Sequence, residues 1–164
     1  MKIFLVAMIL IFSLQSWTKA DDIKEIEIEG DSANIFTQTV GLVNVVAKAY
    51  AEETPVTITA DEGNYNKAKN EVFLHRNVVA TTENGTRLLT EELDIHPTKK
   101  LMETDVLAEV KKDNISVEGV GARGDSMLKR VRFKKDVTVV IQETEDELTQ
   151  GPTVITCDGP LTID

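Results

Sequence analysis

An all-β fold assembled from repeated units of about 30 residues is what this chain predicts, and three observations carry that expectation. The first is a pattern that returns four times: an aliphatic position, a large apolar residue two further on, and a valine four beyond that. The copies are Val40-x-Leu42-x-x-x-Val46, Val72-x-Leu74-x-x-x-Val78, Lys100-x-Met102-x-x-x-Val106 and Val131-x-Phe133-x-x-x-Val137. Their closing valines stand 32, 28 and 31 residues apart (46 to 78, 78 to 106, 106 to 137), and only the third copy is degraded, with Lys100 in its first slot. A unit of that length cannot bury its apolar face alone, so the copies must stack. The second observation is composition: 41% of the chain is hydrophobic but only 5% is aromatic. The apolar positions are mostly Val, Ile, Leu and Thr, which suit a pleated, half-buried surface. The third is periodicity, since strand-like runs follow one another and no amphipathic helix is legible after residue 21.

Taken in order, residues 1–20 are unlike the rest. Met1-Lys2 leads into an apolar stretch from Ile3 to Leu14, interrupted only by Ser13, and then into Gln15 to Ala20 before the acidic Asp21-Asp22. Twelve helical residues span about 18 Å, short of a hydrocarbon core of about 30 Å. This favours a signal peptide cleaved after Ala20, whereas Trp17 at an interface and Lys19 snorkelling would complete a retained signal anchor. Both readings place the body of the chain beyond the cytoplasmic membrane. Residues 21–142 form the main β domain. Within it Ile23 to Glu29 alternates, with Ile26 and Ile28 on one face and Glu25, Glu27 and Glu29 on the other, as in an edge strand with one wet side.

Further strands are expected at Val40 to Ala47, Val56 to Ala60, Val72 to Thr82, Leu88 to His96, Val106 to Val110, Ile115 to Val120 and Val131 to Gln142. Turn chemistry separates them at Glu62-Gly63-Asn64, Asn66 to Asn70, Pro97-Thr98-Lys99, Lys112-Asp113-Asn114 and Gly124-Asp125. Asn84-Gly85 is the best hairpin signal, because both residues tolerate positive φ. Ahead of each repeat sits a small or polar residue followed by an acid or amide: Ala33-Asn34, Ala60-Asp61, Thr90-Glu91 and Gly124-Asp125. Residues 143–153 read as an acidic linker, after which residues 154–164 restart the pattern, with Ile155 matching Ile58 and Asp158 matching Asp61. That last element is expected to have no partner strand of its own within the chain.

Charge and motifs exclude several functions. Lys+Arg total 18 against Asp+Glu 28, a net charge of −10, with no basic patch with interleaved aromatics to follow a phosphate backbone, so no nucleic acid is expected as a partner. Gly119-x-Gly121-x-x-Gly124 spells a dinucleotide fingerprint, but a strand-like segment follows it where a helix N-terminus is required. The Arg123-Gly124-Asp125 tripeptide and the Asn84 and Asn114 sequons read equally as turns. His75 and His96 lack a third ligand at metal spacing, and the single Cys157 cannot form an internal disulfide. No nucleophile elbow, Cys–His pair or phosphate loop is present. No catalytic residue, metal or cofactor is therefore expected.

The ordered landmarks resemble a known family. Ile58-Thr-Ala60-Asp61-x-Gly63-x-Tyr65, Val72-x-Leu74-x-x-Asn77-Val78, Asn84-Gly85-Thr86-x-Leu88-x-Thr90-Glu91-x-Leu93, Thr104-Asp105-Val106, Val117-x-Gly119-x-Gly121 and Val131-x-Phe133-x-x-Asp136-Val137 together look like the LptC-related lipopolysaccharide export proteins. The restart from Ile155 to Asp164 is similar to the opening of the sister periplasmic family, LptA. The resemblance implies an open antiparallel β-jelly roll behind one N-terminal hydrophobic helix. It also implies a non-catalytic component that takes lipopolysaccharide from an inner-membrane ABC transporter and passes it to a periplasmic LptA-like bridge protein of the same fold. It raises the anchored reading of residues 3–20, on the periplasmic side of the inner membrane; cleavage would leave a soluble periplasmic protein.

On that reading the repeated apolar positions line the lipid groove: Leu42, Val46, Val72, Leu74, Val78, Met102, Val106, Phe133, Val137, Val139 and Ile141. Each buried acyl methylene stabilises the complex by about 0.8 kcal/mol, and the same residues would equally serve as core. A net-negative body is expected to leave anionic head groups in water. The strand holding Ile26 and Ile28 is the candidate for one partner edge, and that holding Val139 and Ile141 for the other. Val139→Pro is then expected to abolish docking while leaving the monomer folded. Two other classes stay open: a periplasmic β-repeat binding or structural protein, carbohydrate-binding or adhesin-like, and an envelope hydrolase using Asp61, Asp125 or Asp158.

Overall fold

A computed structural model describes residues 23–35, 38–51, 54–142 and 151–164 of the chain. Residues 1–20, read above as a signal peptide or anchor, and most of the expected linker lie outside the described residues. The described chain is almost entirely strand: β1 (Ile23–Glu29), β2 (Ser32–Ile35), β3 (Thr39–Ala51), β4 (Thr54–Asn66), β5 (Glu71–Thr81), β6 (Arg87–His96), β7 (Leu101–Lys112), β8 (Ile115–Asp125), β9 (Val131–Ile141), β10 (Thr153–Cys157) and β11 (Leu161–Ile163). A single 3-10 turn at Pro97–Lys99 is the one helical element among the described residues. The sheet runs β1-β3-β4-β5-β6-β7-β8-β9-β10, with β2 also on β3 and β11 also on β9. Every pairing is antiparallel. The open antiparallel architecture that the resemblance implies is thus present as a meander in which each strand from β3 to β10 lies beside its neighbour in sequence.

The repeat is a hairpin whose second strand is bulged. Arg76 and Asn77 of β5 stand opposite the single residue Glu91 of β6. Asp105 and Val106 of β7 stand opposite Gly121, and Asp136 and Val137 of β9 stand opposite Gly119. Asn44, Arg76, Asn77 and Asp136 all adopt left-handed φ, between 49° and 64°, a conformation that Asn and Asp tolerate better than most residues. A bulge bends its strand and increases the local twist. Aligned across β3, β5, β7 and β9, the irregularities mark a corner along which the sheet folds. Val56, Ile58, Leu74 and Phe133 are each 0% exposed, yet no helix or second sheet covers them among the described residues. The other half of the same sheet must do so.

Polar side chains hold the corner, and Asp61, one of the acids and amides that recur before each repeat, is among them. Asn44 Nδ2 donates to Asp31 Oδ2 at 2.7 Å and Asn77 Nδ2 to Asp61 Oδ2 at 2.7 Å. Arg76 pairs with Glu62, and Lys134 with Asp105. Thr90 Oγ1 donates to the Leu107 carbonyl at 2.9 Å, so the third copy is tied through a hydroxyl. The Asn84-Gly85 turn forms as a three-residue loop closed by Thr82 N–H to Thr86 O at 2.9 Å, with only Gly85 at positive φ (85°).

The expectation of an unpartnered last element is corrected by the pairing. β10 pairs with Val137–Ile141 and β11 with Val131–Phe133, in one continuous register interrupted at 158–160 opposite the β9 bulge. Together they lie as one interrupted strand against β9. Thr153, assigned above to the linker, already belongs to β10.

Candidate functional site

The apolar interior is the one feature that gathers the repeated positions. Val72, Leu74, Val78, Met102, Phe133 and Val137 are all buried in one cluster, while Leu42 and Val139 pack against it half-buried. Ile141 is half-buried at the end of β9. Two of the expected lining residues fall elsewhere. Left-handed Asn44 shifts the phase of β3, so that Val45 (1% exposed) turns inward and Val46 does not join the core. Val106 is one of the two residues in the β7 bulge and sits half-buried at the corner beside Leu107, which is 53% exposed.

The even-numbered strands supply as much of the interior as the repeat does, through Val56, Ile58, Leu88, Leu93, Ile95 and Val117. Their alternation at Val56/Ile58 and Leu93/Ile95 was the signal available for them. Two inward glycines make room for the largest lining groups. A Cβ on Gly63 would lie 2.8 Å from Leu74 Cδ2, and one on Gly119 would lie 2.7 Å from Phe133 Cδ1. Strand glycines with backbone this close to a side chain mark close approach rather than flexibility.

The interior reaches the surface at both ends of the strand order. Ile28 of β1 and Leu42 of β3 extend it half-buried at one end; Val139, Leu161 and Ile163 of β9 and β11 do so at the other. Ile155, which matches the fully buried Ile58 in sequence, is 52% exposed in β10. Of the two strands read as partner edges, β1, carrying Ile26 and Ile28, stands at one end of the sheet. β9 does not: Val139 pairs with Val117 on one side and Ile155 on the other. Val139→Pro would therefore disturb two ladders, and it is no longer a test that leaves the fold intact.

Of the polar residues weighed for chemistry, Asp61 and Asp125 have structural roles. Asp61 holds the β5 bulge through Asn77. Asp125 Oδ1 accepts from the backbone N–H groups of Met127 (2.8 Å) and Lys129 (3.2 Å), and Oδ2 from that of Arg130 (2.8 Å). That commitment leaves the Arg123-Gly124-Asp125 tripeptide without a free aspartate for adhesion. Gly119 to Gly124 lie inside β8, with no helix behind them. His96 bridges Glu71 and Glu103, at 3.1 Å each, on the outer face. Burial pushes the nearby Asp94 carboxyl above the ordinary carboxylate range, against the pull of His96 and with added repulsion from Glu103, Glu71 and Asp105. No group of three or more His, Cys, Asp or Glu side chains suited to a metal occurs among the described residues. What remains among the described residues is a mainly apolar interior whose buried polar groups include the facing hydroxyls of Thr90 and Thr104.

Among the described residues no helix is long and apolar enough to cross a membrane. No curated protein matches the chain. The family model "Lipopolysaccharide-assembly, LptC-related" matches residues 17–142, which spans all of β1 to β9 and stops before β10. The chain belongs to the LptC-related family of lipopolysaccharide-assembly proteins.

Proposed function

We propose that this protein is a non-catalytic conduit that receives lipopolysaccharide from an inner-membrane ABC transporter and hands it to a periplasmic bridge protein of the same fold. The observation that carries this reading is the continuity of the apolar interior, packed in the middle of the sheet and surfacing at Ile28/Leu42 and at Val139/Leu161/Ile163. An acyl chain can enter at one surfaced end by parting the two halves of the folded sheet, and each methylene that leaves water contributes about 0.8 kcal/mol. β1, with Ile28 on its inner side, is the edge at which a neighbouring component adds a strand. Residues 1–20 either tether the sheet to the inner membrane or are removed on export.

The test is binding of detergent-dispersed lipopolysaccharide to the purified chain and to Leu42→Asp and Val139→Asp. A charge at a surfaced end is hydrated in the free protein but must be desolvated beneath an acyl chain. Each variant is expected to stay folded and to lose about tenfold or more in affinity. Folded variants that bind as the parent does would remove the groove from the mechanism.

A further inference from the structure

Five cations scattered through the sequence converge on one outer cleft of about 500 Å³: Lys100, Arg123, Lys129, Arg130 and Arg132 line it, together with Leu101, Asp125 and Asp164. In a chain with 18 basic residues and a net charge of −10, this is a concentrated exception. Strand register builds it. Arg123 of β8 is directly opposite Arg132 of β9, and the 3-10 turn before β7 and the loop from β8 to β9 bring Lys100, Lys129 and Arg130 to the same rim.

The two carboxylates in the cleft do not neutralise it. Asp125 is engaged by three backbone N–H groups, and Asp164 is paired with Arg130. Among the described residues the side chains of Arg123, Lys129 and Arg132 form no ion pair. Like charges placed directly across an antiparallel pair destabilise it, so the β8–β9 pairing does not favour Arg123 opposite Arg132, although Glu103 faces Arg123 from β7. Two guanidinium forks facing one space match the oxygens of a tetrahedral dianion, which accepts paired N–H bonds from each. Leu101 gives the cleft an apolar wall on which a sugar face can rest.

We propose that this cleft is a binding site for a phosphate monoester, with Arg123 and Arg132 as its principal ligands and Lys129 at its rim. The shared chemistry is a phosphate dianion, from a phosphorylated glycolipid head group or from free phosphate. Only the head-group source rests on the lipopolysaccharide reading; the site stands on its own charges. Head groups are then held on the outside of the sheet rather than left in bulk water, despite the acidity of the whole chain.

The experiment is 31P NMR of inorganic phosphate with the full chain, repeated with Arg123→Gln/Arg132→Gln and with Lys129→Gln. The expected result is broadening of the phosphate resonance by the parent, weakened about tenfold or more in the double variant and less in Lys129→Gln, and diminished by salt because the site is open. No broadening, or equal broadening by the double variant, overturns the proposal. In a second arm, lipopolysaccharide that displaces phosphate before enzymatic dephosphorylation but not after it identifies the head group as the source. Failure of both forms to displace phosphate assigns the site to the free anion. Arg132→Gln should unfold at the same temperature as the parent or higher in phosphate-free buffer, since it removes a like-charge pair; a lower midpoint would make Arg132 structural and overturn its role. Loss of phosphate binding leaves lipid crosslinking inside the groove unchanged, so failure of the anion site and failure of the conduit are distinguishable.

Discussion

Gly119→Ala is the substitution whose cost can be worked most directly from the structure. An added Cβ would lie 2.7 Å from Phe133 Cδ1, 3.1 Å from Phe133 Cγ and 3.2 Å from Val137 Cγ2. Phe133 is 0% exposed and Val137 1%, so neither has open space to retreat into. Overpacking of this kind costs about 1–3 kcal/mol. The lower entropy of an unfolded alanine offsets about 0.4–1 kcal/mol of it. A net loss of about 1–2 kcal/mol follows, read as a lower urea midpoint at unchanged slope and a fall of about 2–8 °C in the thermal midpoint. Phe133→Leu, which removes the ring, should make the glycine replacement cheaper by at least about 0.5 kcal/mol in a double-mutant cycle. Gly151→Ala, where nothing lies within 4 Å, serves as the neutral control. A Gly119→Ala protein as stable as the parent, or strict additivity with Phe133→Leu, would refute the packing argument.

Asn77→Ala loses both the hydrogen bond to Asp61 and a residue type that tolerates left-handed φ. It is expected to cost about 2 kcal/mol by urea unfolding, whereas Asn77→Gly, which relieves the backbone, should cost about half as much. Asp94→Asn should raise stability at pH 7. The folded carboxyl titrates above the ordinary carboxylate range, so its ionised form is penalised as pH rises through that raised value; below the ordinary range both states are protonated and the advantage should vanish. Urea midpoints of parent and variant at pH 7 and pH 3 check this, and an advantage that persists unchanged at pH 3 would contradict it.

Much of this fold is legible in the residues because period-2 alternation and turn chemistry act locally. The existence of the strands from β3 to β9, the hairpin at Asn84-Gly85 and the 30-residue unit follow from such signals, but the turn expected at Glu62-Gly63-Asn64 lies inside β4, where Gly63 pairs with Leu42 and Leu74. Phase is less accessible. Nothing in Val40-x-Leu42-x-x-x-Val46 reveals that Asn44 adopts a left-handed conformation and turns Val45, rather than Val46, inward. Likewise the spacing in the third copy does not disclose that Val106 belongs to a bulge pair. The return of residues 153–163 onto β9 depends on pairing across an intervening acidic stretch, and edge accessibility cannot be read from one strand alone. The basic cleft is the extreme case, since residues 100, 123, 129, 130 and 132 are neighbours only through register. Net charge, a sum over the whole chain, conceals such a concentration.

The central claim is that lipid travels along the inner face of the sheet. It is tested most directly by in-cell photo-crosslinking with a benzophenone amino acid at Leu42, Leu74 and Val139, using exposed Glu92 and Glu118 as outward controls. Lipopolysaccharide adducts at the three inward positions and none at the controls are the predicted result. Adducts at the outward positions alone, or none at any position in a folded and exported protein, would contradict a conduit through the interior.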